Sequence, residues 1–253
     1  NPARVREDLE SLAKSGAKVL LYAPMGRQDR EAKETDTFAL ALCRKRGMRL
    51  VLVDRRLTVE DGGYAHLVAT DNERGGYEIG KRLFAAPYEE YWIVGVTGRG
   101  TSASQARAAG FRRAWAEAKR AGAREPRRLE VTLEGGRLER AFEESLEAGR
   151  PMGLFVLADF MALHLMTLLR ARGRASEPPA RLGIVTFDNL EVARAFGFAA
   201  MAQPLAGLGR AAMELAIRLG DGGEPGPREL LLQPTFIERP SYFSPARAPE
   251  KNN

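Results

Sequence analysis

The chain has 253 residues, of which 44% are apolar and 28% charged, with a formal charge of +6, one cysteine and two histidines. That length suits one large α/β unit or two lobes, while the single cysteine excludes an intramolecular disulfide framework and, with only two distant histidines, a typical zinc site. The basic residues are mostly arginine interleaved with acids, as in REDLE, RQDREAKE and RAWAEAKR, which describes a solvated, salt-bridged surface rather than a nucleic-acid groove.

In chain order, runs of strand length alternate with helical patterns. PARVREDLESLAKSG reads as a helix closed by Gly16, KVLLYAP as a buried strand, TDTFALALCRKRG as a helix, MRLVLVD as a strand and HLVATDN as a strand and turn. DNERGGYEIGKRLFA opens a further helix that Asp71 or Asn72 is placed to cap. No stretch is long and apolar enough to span a bilayer. The opening residues are helical and charged, unlike a signal peptide. Cys43 falls on the inner face of its helix, where a buried structural thiol is expected.

A second series begins at YEEYWIVGVTG, a strand leading into the loop GRGTSASQ and the helix ARAAGFRRAWAEAKRAG. EVTLEGG reads as a strand, ERAFEESLEAG as a helix, MGLFVLAD as a strand, FMALHLMTLLRARG as a helix and RLGIVTFDN as a strand. The long helix LAGLGRAAMELAIRLGDGG follows Gln203-Pro204, and PGPRELLLQPTFIERPSYF closes the chain as a strand pair or extended segment. Strands alternating with helices of ten or more residues predict parallel sheets built by right-handed crossovers. The expected lobes are 1–86 with 204–224, incomplete at its start, and 87–203 with 225–243, followed by a disordered tail over 244–253.

One motif bears on chemistry. Gly98-Arg99-Gly100-Thr101-Ser102-Ala103 follows a strand and precedes a helix, spelling the G-x-G-x-x-A turn that lets backbone amides meet a pyrophosphate. The acidic residue that should support it, Glu134, lies too far along the chain, so a small polar ligand is preferred to NAD. Neither histidine shares a local motif with Cys43, and no G-x-S-x-G, H-E-x-x-H or P-loop is present, so neither an enzyme nor a cofactor or metal is expected.

Polar residues do gather at carboxyl ends of predicted strands, where open α/β sheets bind ligands. Thr101 and Ser102 follow one strand with Arg107 a turn further into the helix, while Asp159 and Asp188 end two others. A carboxylate and a guanidinium facing one cleft, with Phe155 or Phe187 as a stacking face, suit a hydroxyl-rich or polar-ring ligand. Asp159 and Asp188 are equally suited to capping the helices that follow them.

The chain resembles the LacI/GalR family of bacterial transcription regulators in its effector-binding core, from about residue 1 to 243. The matching segments are VATDN at 68–72 with GGYEIGKRL after it, Arg107 to Phe111 as R-x-x-G-F, and LADFMALHLM at 157–166. GIVTFDN at 183–189, QPLAGLG at 203–209 and PTFIERPS at 234–241 complete the set, and DNLEVARAF at 188–196 looks closest to the purine repressor branch. The resemblance implies a type I periplasmic-binding-protein-like fold with the effector between two lobes. It implies that Arg107 and Asp188 contact the effector, that Phe155 stacks on it, and that Asp71 lies nearby and takes part in signalling. It also implies a cytoplasmic homodimer that acts on operator DNA through an N-terminal headpiece.

This sequence departs from the family at Ala158, where Asn is usual. It departs from the purine repressors at Thr101 and Ala103, where they carry Arg and Thr, so a sugar is the first expectation for the effector. Family cores open with a strand, a helix and a second strand before the helix matching PARVREDLESL, so the chain is expected to be part of a longer protein. The same fold also serves solute-binding proteins of transporters, which PTFIERPS and the lack of secretion features argue against.

Overall fold

The computed structural model describes residues 2–25, 29–96, 100–119, 123–131, 139–174, 181–224 and 226–241. The elements run α1 (Pro2–Lys14), β1 (Val19–Tyr22), α2 (Arg30–Arg46), β2 (Arg49–Val53), β3 (His66–Thr70), α3 (Asn72–Ala85), β4 (Glu90–Val96), α4 (Ser102–Ala118) and β5 (Arg127–Val131). They continue with α5 (Arg140–Glu147), β6 (Met152–Val156), α6 (Asp159–Arg170), β7 (Leu182–Asp188), α7 (Glu191–Ala195), β8 (Ala199–Ala202), α8 (Leu205–Gly220), β9 (Glu229–Leu232) and β10 (Thr235–Ile237). The chain forms two compact units, one of Asn1–Asp71, Gly98–Ala103 and Pro204–Gln233, the other of Asn72–Thr97, Ser104–Gln203 and Pro234–Asn253.

The first unit carries a parallel sheet in the order β1-β2-β3-β9. Alternation along β1, β2 and β3 divides their side chains between two cores. Leu20, Tyr22, Leu50 and Leu52 pack with Leu9, Leu40 and Cys43 of α1 and α2, while Val51 and Val68 pack with Leu208, Ala212, Leu215 and Leu219 of α8. Helix α2 begins at Arg30, earlier than the apolar pattern from Thr35 predicts. Asp29 caps it by accepting the Ala32 amide at 2.9 Å, and Arg30 pairs with Glu34 one turn on. Gly47 ends the helix at φ 65°.

The second unit carries a sheet in the order β10-β8-β7-β6-β4-β5, parallel except for β10 against β8. Every residue of β6 is buried, as are the first six of β7, which is why both read as unbroken apolar runs. β5 lies a few residues before the EVTLEGG run, because Leu129 and Val131 take the buried positions opposite Val94 and Val96. The short α7 and its return into β8 were not expected from the sequence. The strands on either side of β4 are β5 and β6, so the order reverses there, and in open α/β sheets such a reversal marks the carboxyl ends of the flanking strands as the place for a ligand.

The strand pair expected of the closing segment is corrected. PGPRELLLQPTFIERPS does not fold as a strand pair: β9 joins β3 in the first sheet and β10 joins β8 in the second. Pro234 lies between them and has no amide to continue a ladder. Segment 226–241 is therefore divided between the two sheets, and α3 clusters with the second unit. Residues 244–253, expected as a disordered tail, lie outside the described residues.

Candidate functional site

Arg107 is 5% exposed, and a buried guanidinium needs partners for its charge and its donors. Its Nε donates to Asn72 Oδ1 at 2.8 Å and its Nη1 to the Leu157 carbonyl at 2.7 Å. Nη1 also stands 3.1 Å from Asp188 Oδ1, and the guanidinium carbon lies 3.8 Å from the centre of the Phe187 ring. Leu157 follows β6 and Asp188 ends β7, so one side chain from α4 gathers the carboxyl ends of two strands beside the strand-order reversal.

The closeness of α3 and α4 puts Arg107 there. A Cβ on Gly76 would collide with the Arg107 carbonyl, and one on Gly110 with the Glu73 carbonyl, so the two helices meet backbone to backbone. Asn72, at the first turn of α3, then lies within hydrogen-bond reach of α4.

Asp188 has φ 111° and Asn189 φ 63°, two successive left-handed residues that each carry a Cβ. Asp188 Oδ1 accepts from Gln203 Nε2 at 2.6 Å, and the Gln203 amide donates to the Asp188 carbonyl at 3.3 Å. Arg239 donates to Asn189 Oδ1 at 2.6 Å. Asp159, fully buried at the start of α6, accepts the Leu190 amide at 2.6 Å. Burial pushes its carboxyl upward, opposed by the Thr186 hydroxyl, the Leu190 amide, Arg107 and Arg239.

Of the residues expected from sequence, Arg107, Asp188, Asp159, Phe155 and Phe187 fall in the second unit, and Arg107 with Phe187 and Asp188 forms one contact group. The two phenylalanines expected to offer a stacking face lie inside the second unit. Both are fully buried, Phe155 against Phe111 at 5.2 Å between ring centres and Phe187 beneath the Arg107 guanidinium. Asp71, Thr101 and Ser102 fall in the first unit. The Asp71 amide donates to the Leu232 carbonyl at 2.8 Å, and Ser102 Oγ accepts the Arg56 amide at 3.3 Å. Gly98 and Arg99 of the G-x-G-x-x-A turn, and Glu134, lie outside the described residues.

Gln203 and Arg239 were not singled out from sequence and Asn72 only as a helix cap, although each lies within a segment that carried the family resemblance. Their polar side chains stood in runs read only for their order. His164 Nδ1 meets the Phe160 carbonyl within its own helix at 2.9 Å. Among the described residues no group of His, Cys, Asp or Glu could hold a metal ion, and no helix is long and apolar enough to cross a membrane.

A periplasmic binding protein-like domain family matches residues 88–242. The chain is 30% identical over 180 residues to the HTH-type transcriptional repressor PurR of Vibrio cholerae, covering 70% of this chain and 52% of the repressor. It is 28% identical over 187 residues to the ribose operon repressor of Haemophilus influenzae, covering 71% and 54%. The chain thus spans about half the length of these curated relatives. In fold it is similar to a LacI family transcriptional regulator from Enterococcus faecium with bound ribose, at a TM-score of 0.71, 22% identity and coverage of 93% and 83%.

Proposed function

Because the chain belongs to the periplasmic binding protein-like family, as an effector-binding core of the LacI/GalR type, we propose that it binds a small, neutral, hydroxyl-rich metabolite at the carboxyl ends of β6 and β7. The observation that carries this reading is the buried Arg107–Asp188 pair with Gln203 on the same carboxylate oxygen. Together the three present acceptors and fixed donors whose charges compensate one another, which suits hydroxyl groups better than a phosphate or a carboxylate. Arg107 and Asp188 are the effector contacts, and Asp159 shapes the crevice beside them.

Occupation of this site would bias a two-state core and thereby alter operator binding by a headpiece, in a cytoplasmic homodimer without catalytic activity. A sugar is the first choice of effector, in line with the ribose bound by the Enterococcus faecium regulator and the ribose operon repressor relative. A purine is the second, favoured by the identity to PurR.

A thermal-shift series with D-ribose, other free sugars, ribose 5-phosphate, hypoxanthine and guanine tests the reading, since a ligand selective for the native state raises its melting temperature. A free sugar should raise the Tm of the parent and not of Asp188→Ala. A response to the phosphate alone, or an equal response in Asp188→Ala, overturns the assignment.

A further inference from the structure

Asp188 and Asn189 hold φ values of 111° and 63°, a region that residues with a Cβ enter at a cost, smallest for Asp and Asn near the left-handed well. They stand where β7 gives way to an excursion that carries α7 and returns as β8. One side chain grips both ends of that excursion. Arg239, two residues past β10, donates Nη2 to Asn189 Oδ1 at 2.6 Å and Nη1 to the Phe198 carbonyl at 2.7 Å. Ser241 ties the same neck: its Oγ accepts the Ala199 amide at 2.8 Å and donates to the Ile184 carbonyl at 2.6 Å.

We propose that Arg239 is a positioning residue for the effector cluster: by holding the Asn189 side chain it fixes the left-handed turn at 188–189 and so aims the Asp188 carboxylate at Arg107 and Gln203. The proposal rests on the reading of Arg107 and Asp188 as effector contacts. Released from the guanidinium, Asn189 gains by returning to an extended or right-handed conformation, and a rotation there swings the neighbouring Asp188 side chain away from its partners. Glycine occupies φ near 63° without steric cost, so glycine at 189 replaces the grip. A purely architectural role for Arg239, in which it only joins the closing segment to β8, would gain nothing from glycine at that position.

The test compares the parent chain with Arg239→Ala, Asn189→Ala and the double variant Arg239→Ala/Asn189→Gly. Backbone chemical shifts at 188 and 189 in the ligand-free protein report φ, and D-ribose titration by calorimetry reports binding. In both single variants the shifts should leave left-handed values and ribose affinity should fall about tenfold, the scale of one charge-assisted contact. In the double variant both should return toward the parent. Asn189→Ala leaves the Arg239 bond to Phe198 in place, so it answers the question even where Arg239→Ala fails to fold. Unchanged shifts in the single variants, or a double variant no better than Arg239→Ala, overturn the proposal. A parent that does not bind ribose counts against ribose as effector, while the shifts still decide whether Arg239 holds the turn.

Discussion

Asp188 shares one carboxylate oxygen between two donors, Arg107 at 3.1 Å and Gln203 at 2.6 Å, and the Arg107 side chain of that pair is only 6% exposed. Breaking such a pair from one side leaves the other charge in a low-dielectric site, which costs about 3–5 kcal/mol. Arg107→Ala should cost that much, because Asn72 and the Leu157 carbonyl lose their donor as well. Asp188→Asn keeps an acceptor for Gln203 and should cost less, about 1–3 kcal/mol. Denaturant unfolding gives the order, and equal costs would mean that the pairing with Asp188 accounts for the whole contribution of Arg107, with nothing added by Asn72 and the Leu157 carbonyl.

Two buried carboxylates act on stability with opposite signs. Burial raises the Asp159 pKa above its ordinary value of 3.8, so the folded state binds the proton more tightly than the unfolded chain. Stability is therefore lost as pH rises from about 3.8 through the folded value. Asp159→Asn should remove that loss, gaining on the parent at neutral pH and converging with it in acid.

Glu90 behaves in the reverse sense. Burial alone would raise its pKa, but the Ser145 hydroxyl at 2.7 Å and Arg150 hold it below the ordinary 4.5. Its contribution is present above pH 4.5 and lost as pH falls through the folded value. Glu90→Gln should flatten the acid limb of the stability profile that Asp159→Asn leaves intact. Thermal melts across the acid range separate the two, and a common direction of change would refute both assignments.

Cys43 is fully enclosed between α2 and the first sheet, and burial pushes its thiol up to about 11. A thiol reagent at neutral pH should leave the native protein unlabelled and react at the rate of unfolding when denaturant is added. Labelling in native buffer on the timescale of an exposed cysteine would place this helix face in solvent.

The alternation of strands and helices was legible because parallel strands buried on both faces, such as Phe155 in β6 and Val185 in β7, must be apolar throughout. Asp188 and Arg107 stood out as charges beside such runs. Gln203 and Arg239 did not, and Asn72 only as a helix cap, because an amide or guanidinium announces a partner only when the chain around it is placed. The division of β9 and β10 between two sheets was hidden for a similar reason: ELLL and TFI have the same periodicity whichever edge they join. The packing of Phe155 on the Phe111 ring was equally hidden, because an aromatic residue at a strand end looks the same in sequence whether its ring faces a cleft or the core.

The same substitution made in two helices should have opposite effects. Gly110 of α4 faces the Glu73 carbonyl of α3, so a methyl group there forces the helices apart. Gly110→Ala should cost about 1–3 kcal/mol through overpacking, and should weaken effector binding as Arg107, one turn earlier on the same helix, moves from Asn72 and Asp188. Gly209 lies exposed within α8, and a Cβ there meets no atom within 4 Å. Gly209→Ala should stabilise by about 0.5–1 kcal/mol, because alanine loses less backbone entropy in a helix, and should leave effector affinity unchanged. Paired denaturant curves and effector titrations check both. A stabilising Gly110→Ala would show that α3 and α4 stand further apart than their glycines require, and a destabilising Gly209→Ala that this face of α8 is covered in the folded protein.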